Sequence, residues 1–118
     1  MLKNYKLQHA IKLSSKITVY VPATLGVNKA INNSQYVDKT AKMLSECFGG
    51  STSSKALGYW MSSELGLIKE KTSLVFAYCD TSALEENINK VIDFIEALKV
   101  EMTQEAIALE INGEMYFI

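Results

Sequence analysis

The side chains that could perform acid–base or metal chemistry are few and lie far apart in this sequence of 118 residues. His9 is the single histidine, and Cys47 and Cys79 are the two cysteines, each in an apolar segment. A zinc site or a Cys–His nucleophile pair needs such residues close together, so neither is predicted. We expect His9 to be solvated and the cysteines to behave as small hydrophobic residues. The sequence predicts no catalytic residue, no metal ligand and no cofactor.

Three motifs that resemble functional sites have simpler structural explanations. The stretch 49–54, Gly-Gly-Ser-Thr-Ser-Ser, follows a predicted helix, whereas a phosphate-binding P-loop follows a strand and opens a helix. Lys69-Glu70-Lys71 is typical of a solvated strand end, and Glu85-Glu86 of a helix start, where the macrodipole favours acidic residues. Without two titratable groups that shift each other's pKa, the pattern favours a protein that is not an enzyme.

Aromatic residues on predicted strands are more informative. Tyr20 alternates with the apolar β-branched residues of the strand over residues 16–21, so it faces away from the core. The strand over residues 74–79 is apolar at six successive positions, and we assign Phe76 and Tyr78 to the same outer face. The sequence therefore predicts an aromatic binding surface on the open face of a sheet.

Tyr59 and Trp60 lie on the strand between these two and must point to opposite faces. The turn at Leu65-Gly66 decides which of them joins the aromatic surface. A two-residue loop places Tyr59 on the Phe76 side, whereas a three-residue loop places Trp60 there. The sequence leaves both alternatives open.

Hydrophobic periodicity predicts the elements that position these aromatic residues. A helix that Asn33 or Ser34 can cap runs to Phe48 and ends at Gly49-Gly50, and a second helix begins at the capping-box pair Ser82 and Glu85. Asn112-Gly113 is a strong hairpin signal, because both central residues of a type I′ turn need positive φ. The apolar stripe of the second helix is Leu84, Ile88, Val91, Ile95, Leu98 and Met102.

The order strand, helix, strand, strand, helix, strand predicts an α+β protein with a ferredoxin-like βαββαβ sandwich. In that fold an antiparallel sheet carries two helices on one face, and here an extra C-terminal β-hairpin is added. The length predicts a single α+β domain over residues 1–118, with residues 1–15 as an N-terminal arm packed on it.

The composition argues against two classes of partner, nucleic acids and membranes. The formal net charge is −1, so there is no global field to attract nucleic acid or an anionic membrane. Every basic residue is a lysine, and the absence of arginine disfavours sites built on its bidentate binding of phosphate or guanine. No segment is long and apolar enough to span a membrane, and the polar N-terminus lacks the apolar core of a signal peptide. We expect a cytoplasmic protein with no membrane partner and no nucleic-acid partner.

The residues alone leave three functional hypotheses. The leading one is a non-enzymatic protein-interaction domain that self-associates, as a homodimer, through its open sheet face. The first alternative is single-stranded RNA binding, because RNA-recognition domains of this architecture stack bases on strand aromatics. The second is a small-molecule pocket or enzyme of the dimeric α+β barrel type, which rests on fold analogy.

Several short motifs carry a family resemblance over about half of the chain. They are Phe48-Gly49-Gly50, Gly58-Tyr59-Trp60, the Gly66 turn with the strand from Glu70 to Val75, and the stretch 110–113. With these motifs the chain resembles small ferredoxin-like bacterial proteins of unknown function, some of which are encoded by phages and other mobile elements. The resemblance implies the fold, and it implies a host protein, bound and inhibited, as one form of partner.

Overall fold

The computed structural model describes residues 2–118, so Met1 of the predicted arm and domain lies outside the described residues. A short 3-10 turn, Leu7–His9, precedes the main elements. In chain order these are β1 (Ser15–Pro22), β2 (Thr24–Leu25), β3 (Lys29–Ala30), α1 (Ser34–Phe48), β4 (Thr52–Ser62), β5 (Gly66–Cys79), α2 (Thr81–Glu101), β6 (Ala108–Ile111) and β7 (Glu114–Phe117).

Five strands form one sheet in the order β4-β5-β1-β6-β7, and β2 and β3 form a small separate ladder. Each neighbouring pair in the large sheet is antiparallel. The predicted α+β class is confirmed. The C-terminal hairpin closes at Asn112 and Gly113, with φ of 52° and 86°, and it continues the main sheet through β6.

The helices cover the sheet face that carries Ile17, Val19 and Val21, all fully buried. Alternate residues of β5 lie directly opposite them, with Val75 against Val19 and Ala77 against Ile17. The stripe predicted for α2 also faces this core, where Val91 and Ile95 have no exposed surface. Within residues 2–118, neither helix combines the length and apolarity that crossing a bilayer requires.

The side-chain caps of both helices differ from the predicted ones. Asp80, rather than Ser82, is the N-cap of α2, and its carboxylate accepts a hydrogen bond from the Ala83 amide at 2.7 Å. Asn33 stands at the N-cap position of α1 but makes no side-chain cap bond. Its amide group instead donates to the Val21 and Pro22 carbonyls and to Ser73 Oγ, each at 3.2 Å. Asn33 therefore anchors the start of α1 to the end of β1 and to the adjoining middle of β5.

The N-terminal arm does not pack as expected. Residues 2–14 are exposed along their whole length, and Ser15 already belongs to β1. The apolar side chains of the arm, Leu2, Tyr5, Leu7, Ile11 and Leu13, are between 47% and 93% exposed. Apart from the 3-10 turn Leu7–His9, residues 2–14 form no regular secondary structure, so these apolar side chains are not gathered on one face that could be buried.

The hairpin of β4 and β5 extends beyond the other strands of the sheet. Strand β1 ends at Pro22, opposite Thr72, whereas β4 and β5 stay paired as far as Ser62 and Gly66. Residues 57–71 therefore form a two-stranded ribbon, and the molecule is elongated, with extents of 54 × 28 × 21 Å. Both faces of this ribbon border cavities.

The buried thiol of Cys79 makes stability depend on pH. Burial, and secondarily the Asp80 carboxylate, raise the pKa of Cys79 above the ordinary 9.0. The folded thiol therefore stays protonated at a pH where the unfolded thiol ionises, so the free energy of unfolding should fall as pH rises through 9.0. Denaturant titrations on both sides of that pH should show a smaller fall for Cys79→Ala. The matched variant Cys47→Ala should keep the wild-type fall, and an equal fall in all three proteins would contradict the prediction.

Candidate functional site

The register of the long hairpin decides which aromatic residue joins the open face. Ser62 pairs with Gly66, which leaves a three-residue loop, 63–65. In this register Trp60 lies opposite Ile68 and on the same face as Phe76, while Tyr59 lies opposite Lys69 on the other face. Of the two alternatives left open by the sequence, the structure selects Trp60.

A cavity of about 380 Å³ lies where the ribbon rises from the open face of the sheet. Strand β1 contributes Tyr20, β4 contributes Trp60 and β5 contributes Glu70. The loops 22–27 and 103–108 form its other walls. We call this the aromatic cavity; its lining residues are Tyr20, Pro22, Ala23, Thr24, Gly26, Val27, Trp60, Glu70, Lys71, Thr72, Thr103, Gln104, Glu105, Ala106, Ile107 and Ala108.

Trp60 and Glu70 act as a pair across the ribbon. Residue 70 pairs with Gly58, so its side chain is a diagonal neighbour of Trp60 on the same face. The Trp60 indole Nε1–H donates a hydrogen bond of 3.1 Å to Glu70 Oε1. The bond holds a carboxylate beside an indole ring at the cavity wall. An aromatic face and a carboxylate side by side suit a ligand that carries both a flat ring and a positive charge.

Gln104 fastens the two loops that close the far side of the aromatic cavity. Its Nε2 donates to the carbonyls of Thr24 at 2.9 Å and Gly26 at 3.0 Å. The Gly26 amide in turn donates to the Met102 carbonyl at 2.9 Å, with Gly26 at a positive φ of 62°. The sequence does not predict these hydrogen bonds of Gln104, because the acceptors are backbone carbonyls 78 and 80 residues away.

The remaining aromatic residues predicted for the surface form a separate group. Phe76 and Tyr78 pack edge to face, with ring centroids 6.1 Å apart. The Lys16 ammonium lies 4.5 Å from the Phe76 centroid and 5.5 Å from that of Tyr78. These rings border a different cavity, which includes Phe48. The structure thus brings Tyr20 and Trp60 together, and it separates them from Phe76, Tyr78 and Tyr59.

Glu70 is the functional candidate that sequence reasoning missed. Its neighbours Lys69 and Lys71 suggested a solvated strand end, and Glu70 is indeed exposed. The available signal was the hairpin itself, because a three-residue loop places residues 60 and 70 diagonally on one face. Among residues 2–118, no group of three or more His, Cys, Asp or Glu side chains comes together as a candidate metal site.

The architecture and the aromatic cavity are those of a small α+β protein with a ligand-sized concavity on its sheet; such sites typically measure about 300–1,000 Å³. A structure of a phage SAM lyase in complex with S-methyl-5′-thioadenosine is similar to this chain, with a TM-score of 0.66, 15% identity and 95% coverage of both chains. A phage SAM lyase in the apo state has a TM-score of 0.64 and 18% identity, over 90% of this chain and 89% of that one. No protein-family model matches the chain. No curated protein matches it either.

These comparisons overturn the leading functional hypothesis. Both of these structures, which match this chain over nearly its whole length, are of a phage SAM lyase, an enzyme. The prediction of a non-enzymatic interaction domain is therefore wrong, whereas the predicted self-association stays a prediction. Its error was to take the lack of an acid–base motif as the lack of an enzyme, although not every reaction needs a proton transfer from a side chain. The small-molecule alternative agrees better with the comparisons.

Proposed function

We propose that this protein is an enzyme that cleaves S-adenosylmethionine (SAM) in the aromatic cavity. The observation that supports the proposal most strongly is the agreement of fold with phage SAM lyase over 95% of both chains. The chemistry of the cavity supports it independently. SAM carries a flat adenine ring and a cationic sulfonium, and the cavity offers Tyr20, Trp60 and the Glu70 carboxylate.

The ligand of the similar structure indicates which bond breaks. The SAM sulfur bears a methyl group, the adenosyl C5′ and the methionine Cγ, and S-methyl-5′-thioadenosine keeps the first two. The S–Cγ bond must therefore break, and its electron pair must pass to sulfur. In a reaction without water, a lone pair of the substrate's own carboxylate can form the new O–Cγ bond. The products are then S-methyl-5′-thioadenosine and homoserine lactone, and no proton is transferred.

A displacement of this kind does not need a catalytic acid, base or nucleophile from the protein. Both the attacking carboxylate and the departing sulfonium lose their charge as the reaction proceeds. Water stabilises the separated charges more than the nearly neutral transition state, so a cavity that excludes water should accelerate the step. Holding the methionine chain in a ring-like conformation should add to that effect.

Each element of the cavity then has a role. Trp60 and Tyr20 hold the adenosyl group against their rings, which are already positioned by the sheet. Glu70, oriented by the Trp60 indole, binds the positive end of the substrate. Gln104 keeps the two wall loops closed around the bound molecule.

The direct test is to incubate the protein with SAM in water enriched in ¹⁸O and to analyse the products by liquid chromatography and mass spectrometry. We expect S-methyl-5′-thioadenosine and unlabelled homoserine lactone in equal amounts, formed faster than in buffer alone. The buffer control matters because the same displacement can occur without protein. No excess over buffer would refute the proposal, and initial formation of ¹⁸O-labelled homoserine would refute the intramolecular step.

Glu70→Gln should separate charge recognition from adenosine recognition. The amide oxygen of glutamine can still accept the Trp60 N–H, so the variant removes the charge and keeps the shape. We expect KM for SAM to rise about 10-fold, because the variant loses one charge-assisted contact with the positive end of the substrate. The Kd for uncharged S-methyl-5′-thioadenosine, measured by calorimetry, should stay within about 2-fold. Equal weakening of both ligands would contradict the role given to Glu70.

We also infer a ferredoxin-like topology for the sheet. When β2, β3 and the last strand are set aside, the order β4-β5-β1-β6 and the two helices correspond to the split βαβ arrangement. The ferredoxin-like topology supports the proposed SAM cleavage, because it leaves the sheet face opposite the helices open for the aromatic cavity.

A further inference from the structure

A second and larger cavity lies on the other face of the ribbon. Its volume is about 650 Å³, and the β3–α1 connection and the base of the ribbon form its walls. Lys55 pairs with Ser73 and Lys71 pairs with Leu57, so both lysines lie on the face opposite Trp60, where both are exposed. We call it the lysine cavity; its lining residues are Ala23, Ile31, Asn32, Asn33, Ser34, Lys55, Ala56, Leu57, Lys71, Thr72 and Ser73.

The lysine cavity concentrates positive charge without an opposing charge. Lys55 and Lys71 are diagonal neighbours across β4 and β5, a position in which Cβ atoms lie about 7–8 Å apart. The residues that line the cavity include no aspartate and no glutamate. Within the described chain, 2–118, the single ion pair joins Lys39 to Glu101, on the two helices. Two neighbouring cations that repel each other gain free energy when an anion lies between them.

The rest of the lining indicates what kind of anion fits. Asn32 and Ser34 add polar groups at one wall, while Ile31, Ala56 and Leu57 add an apolar surface. A volume of about 650 Å³ is far more than a bare phosphate fills and suits a small organic molecule. Lysine binds phosphate as a point charge, and a phosphate monoester carries nearly two negative charges at neutral pH, which matches two ammonium groups.

We propose that the lysine cavity binds a small organic phosphate monoester, with its phosphate between Lys55 and Lys71 and its organic part against Ile31 and Leu57. The site differs in chemistry from the aromatic cavity, which carries Glu70 and suits a cation. The two cavities share the wall at Ala23, Lys71 and Thr72. The proposal goes beyond SAM cleavage and does not depend on it.

Calorimetry with ribose 5-phosphate, AMP, adenosine and inorganic phosphate tests this site directly. We expect both monoesters to bind more tightly than inorganic phosphate. The variants Lys55→Gln and Lys71→Gln should each weaken ribose 5-phosphate by about 10-fold, the size of one charge-assisted contact. The matched control is Lys69→Gln, on the same strand and ribbon face but outside the cavity lining, which should change affinity by less than about 2-fold. Circular dichroism establishes that each variant is folded.

The outcomes separate this proposal from SAM cleavage. Binding of AMP but not ribose 5-phosphate, lost in Trp60→Ala, would mean that the base occupies the aromatic cavity and would overturn the lysine site. Equal losses for Lys69→Gln and Lys71→Gln would indicate diffuse attraction and would also overturn it. Binding of both monoesters that survives Trp60→Ala would support the site, whether or not SAM is cleaved.

Discussion

Replacing Trp60 with alanine should lower kcat/KM for SAM cleavage by about 10- to 100-fold, because stacking of a base on an aromatic side chain is worth about 1–3 kcal/mol. The substitution also frees Glu70 from the indole that orients it. Both effects remove contacts that we propose for the adenosyl and cationic parts of SAM. Initial rates of S-methyl-5′-thioadenosine formation over a range of SAM concentrations measure the change.

Two further variants make the Trp60 result specific. Trp60→Phe keeps an aromatic face and removes the N–H, so it should recover most of the lost activity if stacking dominates. Tyr78→Ala is the matched control, because Tyr78 is 51% exposed on the same sheet face, against 50% for Trp60, and lies outside the aromatic cavity. A loss for Tyr78→Ala as large as that for Trp60→Ala would contradict the assignment of the site.

Ile95→Ala should be the most destabilising of the substitutions considered for this protein. Ile95 is fully buried in the middle of α2, where it is part of the core between helix and sheet. Truncation of such a residue typically lowers the free energy of unfolding by about 2–5 kcal/mol. Part of this loss comes from the smaller buried apolar surface, and part comes from the cavity that remains. The thermal midpoint should fall by about 10 °C or more.

The same helix supplies the control for this stability measurement. Val100 lies near the C-terminal end of α2 and is 77% exposed. Val100→Ala removes a similar β-branched side chain and improves helix propensity slightly, so its midpoint should stay within about 2 °C of the wild type. A comparable fall for Val100→Ala would show that this exposed position is covered in solution.

The core elements follow from local pattern. The apolar stripe of α2 and the alternation around Val19 require one buried face each, so periodicity alone predicts both elements and the way they face each other. Gly49, with φ of 92°, and the turn at Asn112-Gly113 likewise follow from backbone conformations that few residues adopt. The α+β class follows from the order of these elements.

The helix caps and the arm were predicted less well. Several polar residues near a helix start can accept the first amides, and their order in the sequence does not decide between Asp80 and Ser82. The Asn33 side chain could have capped α1, but it donates instead to two carbonyls at the end of β1 and to Ser73 in the middle of β5. Residues 2–14 were expected to pack on the domain but are exposed, because apolar residues alone do not show whether a segment forms a regular element with one apolar face.

By itself the sequence determined which residues are apolar, where the chain turns, and that aromatic side chains lie on an outer sheet face. Only the tertiary structure decided that Trp60 rather than Tyr59 belongs with Tyr20, and that Phe76 and Tyr78 form another group. It also decided that Glu70 lies beside Trp60, and that Lys55 and Lys71 share a cavity on the opposite face. The physical reason is register: one residue more or fewer in the loop 63–65 would move every β4 side chain to the opposite face of the ribbon, and Tyr59 would replace Trp60 beside Glu70.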